Sequence, residues 1–441
     1  MVMVMELPED LLADVLRRLL PHGLAAARCV HSSWRAIIDT RRLMHLLPLR
    51  LAGILITFNG NHHLTELFAR PSPAPVSVSS KFHHYMPAGA GYAYAAIVTG
   101  HCNGLLLLEG GYVVNPATRQ WAKLPSPRPP CRYDEENFWY HEYIVFDPAV
   151  SPHYEVLVVP EGSYPRGTMD RTVAGWEWPP SSMLVQAFSS RTNRWEERSF
   201  QRQGEPFSTI TDQPLFGEPK TSVYWRGHLY VHHYYFMRIS LSSGKYQVIK
   251  PPQDINPAQL QLGRSEKGVY LASIAYPGER LQVWILDESC ARLQWVQKYQ
   301  ADLMHILSHW SSNSKVHGSW VLEDINYHSC HDWFPDYKEQ APRGKGFEWD
   351  SDNEDVLDTN GKIERSCSRH IDIIGFHPLK EVLFLSESLK RGFAYHLSTS
   401  KLQYLGYMYP TKYEWFAEGH ELIENSFPYT PCWTTEFPTN N

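Results

Sequence analysis

The run Leu105–Pro125, LLLLEGGYVVNPATRQWAKLP, decides the fold. An apolar strand, Leu105–Leu108, is followed by a second, Tyr112–Asn115, and a polar turn, Pro116-Ala117-Thr118-Arg119, leads into a strand that opens near Trp121. β-branched and aromatic residues bounded by turn formers are the local signature of strands. The same pattern recurs at Leu184–Trp195, at Phe236–Tyr246, at Val283–Cys290 with Trp295, and at Phe393–Leu402. Anchored on Asn115, Ser189, Ser240, Asp287 and Ser398, the copies are separated by 74, 51, 47 and 111 residues. The two middle steps match one propeller blade, roughly 40 to 50 residues. Each long step is expected to hold one extra blade or an insertion, and Tyr143–Pro148 with Tyr154–Val159 reads as a strand pair inside the first.

A small twisted sheet with two apolar faces gains by stacking around an axis, because only a ring buries both. The expected fold is therefore mainly β: a small α-helical front followed by a β-propeller of about six to eight blades over residues 49–441. Two stacked β-sandwiches are the rival architecture. Gly53–Phe58 reads as a buried strand, residues 70–80 as a Pro- and Ser-rich loop, and His228–Val231 as a strand opened by Arg226-Gly227.

The front is different in kind. Residues 6–39 read ELPEDLLADVLRRLLPHGLAAARCVHSSWRAIID. Pro8 suits the first turn of a helix, where a missing N–H costs nothing. Glu6, Glu9 and Asp10 near that end, and Arg17 and Arg18 near the other, complement the helix dipole. Leu7, Leu11 and Val15 form one i, i+4 row; Leu12, Leu16 and Leu19 or Leu20 form another. Pro21-His22-Gly23 breaks the helix. Leu24–Arg28 favours a second one, and Val30, Trp34, Ile37 and Ile38 share one helical face. The apolar surface is wider than one internal partner needs, and so short a piece buries too little to be very stable alone. The same residues would also serve as the core of an ordinary helical cap.

Leu7-Pro8, the leucine-rich stretch to Leu20 and the closing Arg28–Ile38 resemble the F-box family. One position departs from it: many members place cysteine directly after the valine, and this chain has His31. The resemblance implies docking, through residues 1–48, onto the Skp-type adaptor of a cullin–RING ubiquitin ligase. It carries Leu7, Pro8, Leu11, Leu12, Val15, Leu16 and Leu24 over as adaptor contacts, with Val30 and Trp34 either contacts or internal core. Gly100–Leu106, Asn115–Thr118 and Phe146-Asp147-Pro148 resemble the F-box-associated, kelch-like propeller region of plant F-box proteins, notably a large grass family. That resemblance implies a non-catalytic substrate receptor with an unspecified protein target and no cofactor.

Composition narrows the function classes. The 441 residues are 43% hydrophobic and 20% charged, as expected of a globular chain long enough for several packed units. The net charge is −6; residues 1–50 hold seven Arg against five acidic residues, so the remainder is near −8. That balance argues against a nucleic-acid surface. Leu51–Phe58, the longest apolar run near the front, is far short of a membrane span. Seven scattered cysteines and no N-x-Ser/Thr sequon suit a reducing compartment, nuclear or cytoplasmic.

Glu348, Asp350, Asp352, Glu354, Asp355 and Asp358 lie without an intervening base, inside an expected loop insertion at about 338–368. They read as a solvated segment. A calcium loop started at Asp350 fails, with Asp355 and Gly361 where glycine and glutamate belong. His328, Cys330 and His331, with Cys367 and His370, lack the tight pairing of zinc sites. His62-His63, His83-His84 and His232-His233 are neighbours, which a strand points to opposite faces. No metal is expected, and no nucleophile elbow, Walker loop or dinucleotide fingerprint appears. A glycan- or small-ligand-binding propeller and, less favoured, a propeller enzyme remain as other classes.

Overall fold

The computed structural model describes residues 8–19, 21–41, 43, 51–59, 65–71, 78–82, 85–86, 97–126, 138–162, 175–209, 221–253, 255, 260–275, 279–289, 293–308, 318–323, 370–417 and 419–433. Leu7, the acidic stretch 338–368, the pairs His62-His63 and His83-His84, and His328, Cys330, His331 and Cys367 lie outside them.

Three short helices come first: α1 (Glu9–Arg17), α2 (Pro21–Val30) and α3 (Ser32–Thr40). The rest is β structure. Blade 1 opens with β1 (Gly53–Phe58) and β2 (Thr65–Ala69). Blade 2 is β3 (Val98–Cys102), β4 (Leu105–Leu108), β5 (Tyr112–Asn115) and β6 (Gln120–Lys123). Blade 3 is β7 (Phe138–Val145), β8 (Glu155–Gly162), β10 (Ser182–Ser189) and β11 (Arg194–Gln203), with a small side pair of β9 (Glu177–Trp178) and β12 (Ser208–Thr209). Blade 4 is β13 (Ser222–Trp225), β14 (His228–His232), β15 (Phe236–Ser240) and β16 (Lys245–Ile249). Blade 5 is β17 (Leu260–Ser265), β18 (Gly268–Ala275), β19 (Arg280–Asp287) and β20 (Gln294–Asp302). After α4 (Leu303–Ser308) and β21 (Val321–Leu322), blade 6 is β22 (Ile371–Phe376), β23 (Val382–Glu387), β24 (Arg391–His396) and β25 (Lys401–Tyr407). A one-turn helix, α5 (Tyr413–Phe416), precedes the last strand, β26 (Ile423–Tyr429).

The sheet that contains β1 closes the ring. Its order is β21-β2-β1-β26, so one blade is built from three separated chain segments. β26 pairs antiparallel with β1, with Leu55 opposite Phe427 and Ile56 opposite Ser426, and Ala52 N–H donates to the Tyr429 carbonyl at 2.9 Å. Blades 3 and 4 are joined in addition by a short parallel pairing of β11 with β16, which makes them one eight-stranded sheet.

Period-two geometry explains why the strands read as unbroken apolar runs. Leu105 and Leu107 face blade 3, among Ile144, Val156 and Phe188, whereas Leu106 and Leu108 face blade 1, among Leu55, Leu67 and Phe427. In β1, Leu55 turns toward blade 2, while Ile54, Ile56 and Phe58 turn toward Phe384, Ala394 and Leu405 of blade 6. Three further clusters fill the remaining gaps: Val185 against Val231 and Met237, Phe236 against Leu271 and Trp284, and Val283 against Leu385 and Phe393. Every blade thus contributes to two clusters and the circuit closes. Among the described residues the ring has six blades, in place of the rival sandwich pair.

The recurring sequence motif is the turn between the third and fourth strands. Asn115, Ser189, Ser240 and Asp287 end β5, β10, β15 and β19, and Ser398 falls two residues past β24. In four blades the residue just before the fourth strand has positive φ: Arg119 (56°), Asn193 (54°), Gly244 (62°) and Ser400 (56°). A left-handed residue at that point is how four-residue hairpin loops turn the chain back. Among the described residues neither long spacing holds an extra blade. Blades 2 and 3 are consecutive, and between blades 5 and 6 the described residues hold α4 and β21.

The helices keep a core of their own: Ala13, Leu16, Leu24, Ala27, Ile37, Ile38 and Leu43, with Leu12, Leu19 and Trp34 packed at its margin. Removal of residues 1–48 is therefore expected to leave the ring's near-UV circular dichroism and melting transition intact. Removal of residues 420–441 takes away β26 and should abolish that transition. Leu106→Ala, at a side chain with no exposure, should cost about 2–5 kcal/mol by chemical denaturation.

Candidate docking face and axial pocket

Pro8 stands at the N-terminus of α1 with an extended backbone (ψ 141°), and its carbonyl accepts the first helical hydrogen bond from Leu12 N–H at 3.0 Å. Glu9 and Asp10 occupy the first turn. Arg41, just past α3, reaches back to Asp10 at 2.6 Å and to Glu9 at 3.4 Å, tying the ends of the unit together. His31 sits between α2 and α3. Its Nδ1 accepts from Ser33 N–H at 3.3 Å and lies 2.5 Å from the Ser33 hydroxyl, so it caps α3. The departure at this position thus has a local function in starting the last helix.

The two leucine rows of α1 point in different directions. Leu16 is buried, and Leu12 and Leu19 are half-buried against the helical core. Leu11 and Val15 are 54% and 50% exposed, and Pro8 is exposed beside them on the same helix. Val30, at the end of α2, is 71% exposed, whereas Trp34 is half-buried and Leu24 has no exposed surface. Of the residues singled out from sequence, Pro8, Leu11, Val15 and Val30 are available to a partner. Leu16 and Leu24 are interior, where they hold the helices that present the face. Large apolar side chains this open on a helix with a filled core beneath them are the mark of an unpartnered surface.

A second feature lies on the ring axis. The ends of the innermost strands converge there through a chain of contacts. Asn103 Nδ2 donates to the Phe146 carbonyl at 2.6 Å, Ser265 Oγ to the Lys380 carbonyl at 2.5 Å, and Tyr429 Oη to the Gly104 carbonyl at 3.1 Å. Gly375, at φ 131°, has its missing Cβ directed at Pro428 Cδ, 2.3 Å from the ideal position, so no side chain fits between blades 6 and 1 there. These strand ends surround an open pocket of about 90 Å³. Asn103-Gly104, with φ of 46° and 89°, is a two-residue type I′ turn that joins β3 to β4 and directs Asn103 toward β17. There Arg264 donates to Asn103 Oδ1 at 2.5 Å and to the Tyr224 carbonyl at 3.3 Å.

The pocket's titratable groups are set by burial. Burial, reinforced by Arg264, pushes the His101 imidazole down to about 3, and its ring stacks on Phe427 at 3.9 Å. Burial pushes the Cys102 thiol up to about 12, against the opposing pull of Arg264. Burial also lowers Arg264 from its ordinary value, an effect opposed by Cys102 and Asp147. Sequence reading singled out none of these as site residues. Asn-Gly is a recognised hairpin signal, but Arg264 comes from a strand about 160 positions away, and only the ring joins them.

His232 and His233 do diverge. The first stacks on Phe236 at 4.4 Å, and the second reaches Glu161 at 3.3 Å and Tyr143 at 3.4 Å. Among the described residues no group of three or more His, Cys, Asp or Glu side chains is placed to hold a metal, and no helix is long and apolar enough to cross a membrane.

The comparisons with known proteins bear on the front of the chain. Residues 4–46 match the F-box domain. The chain carries an F-box. The match spans the three helices and both leucine rows, and the mainly β, propeller-like body follows it. No curated protein matches the chain. Among solved structures, a chain of the mitotic checkpoint complex is 12% identical, with 46% of this chain and 76% of that one covered, at a TM-score of 0.18. NanB sialidase from Streptococcus pneumoniae is likewise 12% identical, with 58% and 50% covered, at a TM-score of 0.18. Likenesses this slight support no inference.

A depressed histidine makes the folded state refuse a proton that the unfolded chain takes up. Stability from His101 is therefore full above pH 6.5 and is lost as pH falls from 6.5 toward about 3, at up to about 1.4 kcal/mol per pH unit. His377, pushed down to about 4 by burial and by Lys380 and His396, acts in the same direction. Melting temperature should fall between pH 6.5 and 4, and His101→Gln with His377→Gln should flatten that slope.

Proposed function

We propose that this chain is the substrate-receptor subunit of an SCF-type cullin–RING ubiquitin ligase. In this reading residues 1–48 form the adaptor-docking domain, and residues 49–441 form the domain that holds the target protein. The observation that carries it is the division of labour within α1. One leucine row fills the helical core and the other stays open, so the F-box has its own interior and still needs a cover. Binding to a Skp-type adaptor would centre on Pro8, Leu11 and Val15, with Val30 as a further contact and Leu12 and Trp34 at the margin. Leu16 and Leu24 would act from beneath. Leu7 belongs to the same i, i+4 row as Leu11 and Val15, and is assigned to the face on that ground.

Such a receptor contributes no chemistry of its own. The adaptor and cullin would bring the charged conjugating enzyme near the target held by the ring, and the gain is proximity: a high local concentration of substrate lysines around the thioester. The body's resemblance to the F-box-associated region of plant proteins belongs to the same reading.

The two kinds of leucine separate docking from folding. Leu11→Asp with Val15→Asp changes solvent-facing positions, where effects on stability are small. It should abolish co-purification with a Skp-type adaptor while the helical circular dichroism of residues 1–48 in the full chain is retained. Leu24→Ala removes a fully buried side chain and should instead weaken the helical unit itself. Adaptor capture undiminished by the double aspartate variant would refute the assignment of the face.

A further inference from the structure

The axial pocket has an unusual charge balance. Among its described lining residues Arg264 carries the sole formal charge, and none is Asp, Glu or Lys. His101, the one other basic side chain there, is neutral at physiological pH. The rest of the wall mixes hydroxyl and amide side chains (Ser222, Gln261, Asn425 and Ser426) with apolar ones such as Val223, Leu262, Phe376 and Phe427. Arg264 spends two of its five N–H groups, both on neutral oxygens, and no carboxylate lies within ion-pair distance of it among the described residues. Its guanidinium is held in place by Asn103 and the Tyr224 carbonyl, so little ordering is needed for a further bond.

An oriented cation that no carboxylate contacts directly, with Asp147 acting on it only at longer range, keeps N–H groups free for an anion. The size of the pocket says what carries it. Sites for small molecules run from about 300 to 1,000 Å³. A space of about 90 Å³ admits the tip of a larger ligand whose remainder stays outside at the mouth of the ring. A single Arg matches one negative charge, whereas phosphoryl groups carry nearly two and are met by clusters of Arg.

We propose that the axial pocket is a carboxylate-binding site in which Arg264, positioned by Asn103, receives a glutamate or aspartate side chain or a free C-terminus of a protein segment lying across the ring mouth. This rests on the reading of the ring as the target-binding domain and names the chemistry it would select.

The test uses the full chain co-purified with a Skp-type adaptor, and fluorescein-labelled hexapeptide pools read by polarisation. One pool has glutamate fixed at an internal position and both ends capped, and its control has glutamine there. A third ends in a free carboxylate, and its control ends in an amide. At least a ten-fold preference is expected for one acidic pool over its control, and the pool that shows it identifies side chain or terminus as the source. Arg264→Gln should remove the preference. Asn103→Asp should do the same by supplying an internal carboxylate, at a left-handed position that Asp tolerates; melting temperatures report that both variants remain folded. Equal binding of acidic and neutral pools, or a preference that survives both substitutions, overturns the proposal. Failure of the adaptor to co-purify would instead count against the docking face, since the ring can be probed alone after removal of residues 1–48.

Discussion

A blade with apolar side chains on both faces has no stable existence by itself, and the whole body follows from that constraint. Each of the six blades shares one cluster with the blade before it and one with the blade after it. The circuit holds only because β26, from the far end of the chain, takes its place beside β1. That pairing covers Leu55 and Ile56 and brings Phe427 and Tyr429 to the axis. The pocket is thus a by-product of closure: its walls are the free ends of strands that have no reason to meet unless the ring is complete.

The helical unit obeys the opposite logic. Its core, seven buried residues among those described, is small, and a core of that size gives limited stability. Its surface row of Leu11 and Val15 is left where a second polypeptide can add the missing apolar area. Among the described residues no residue of the ring enters that core, so the helical unit and the ring pack independently.

Much of the body was legible in advance. The five repeats fell on the third-to-fourth strand turns, four of which turn back through a left-handed residue after a polar corner, a local demand written in local residues. Gly53–Phe58 was legible as a buried strand because no polar residue interrupts it before Thr57. The long spacing after Asp287 hid something sequence cannot mark: β21, inside the intervening segment, leaves its neighbours and becomes the outer strand of blade 1. In α1 the spacing yielded two rows, but not which one faces out. That depends on where α2 and α3 lie, and they lie over Leu16.

By itself the sequence determined the local elements and the kind of surface they needed: a helical front with surplus leucines, and strands with apolar side chains on both faces. Those follow from periodicity, turn chemistry and composition, which act over a few residues. The tertiary structure alone decided the number of blades, the closure by β26, the outward row of α1, and the meeting of Arg264 with Asn103. Each of these joins groups far apart in the chain, and a contact of that kind is set by packing around an axis that no short stretch of residues encodes.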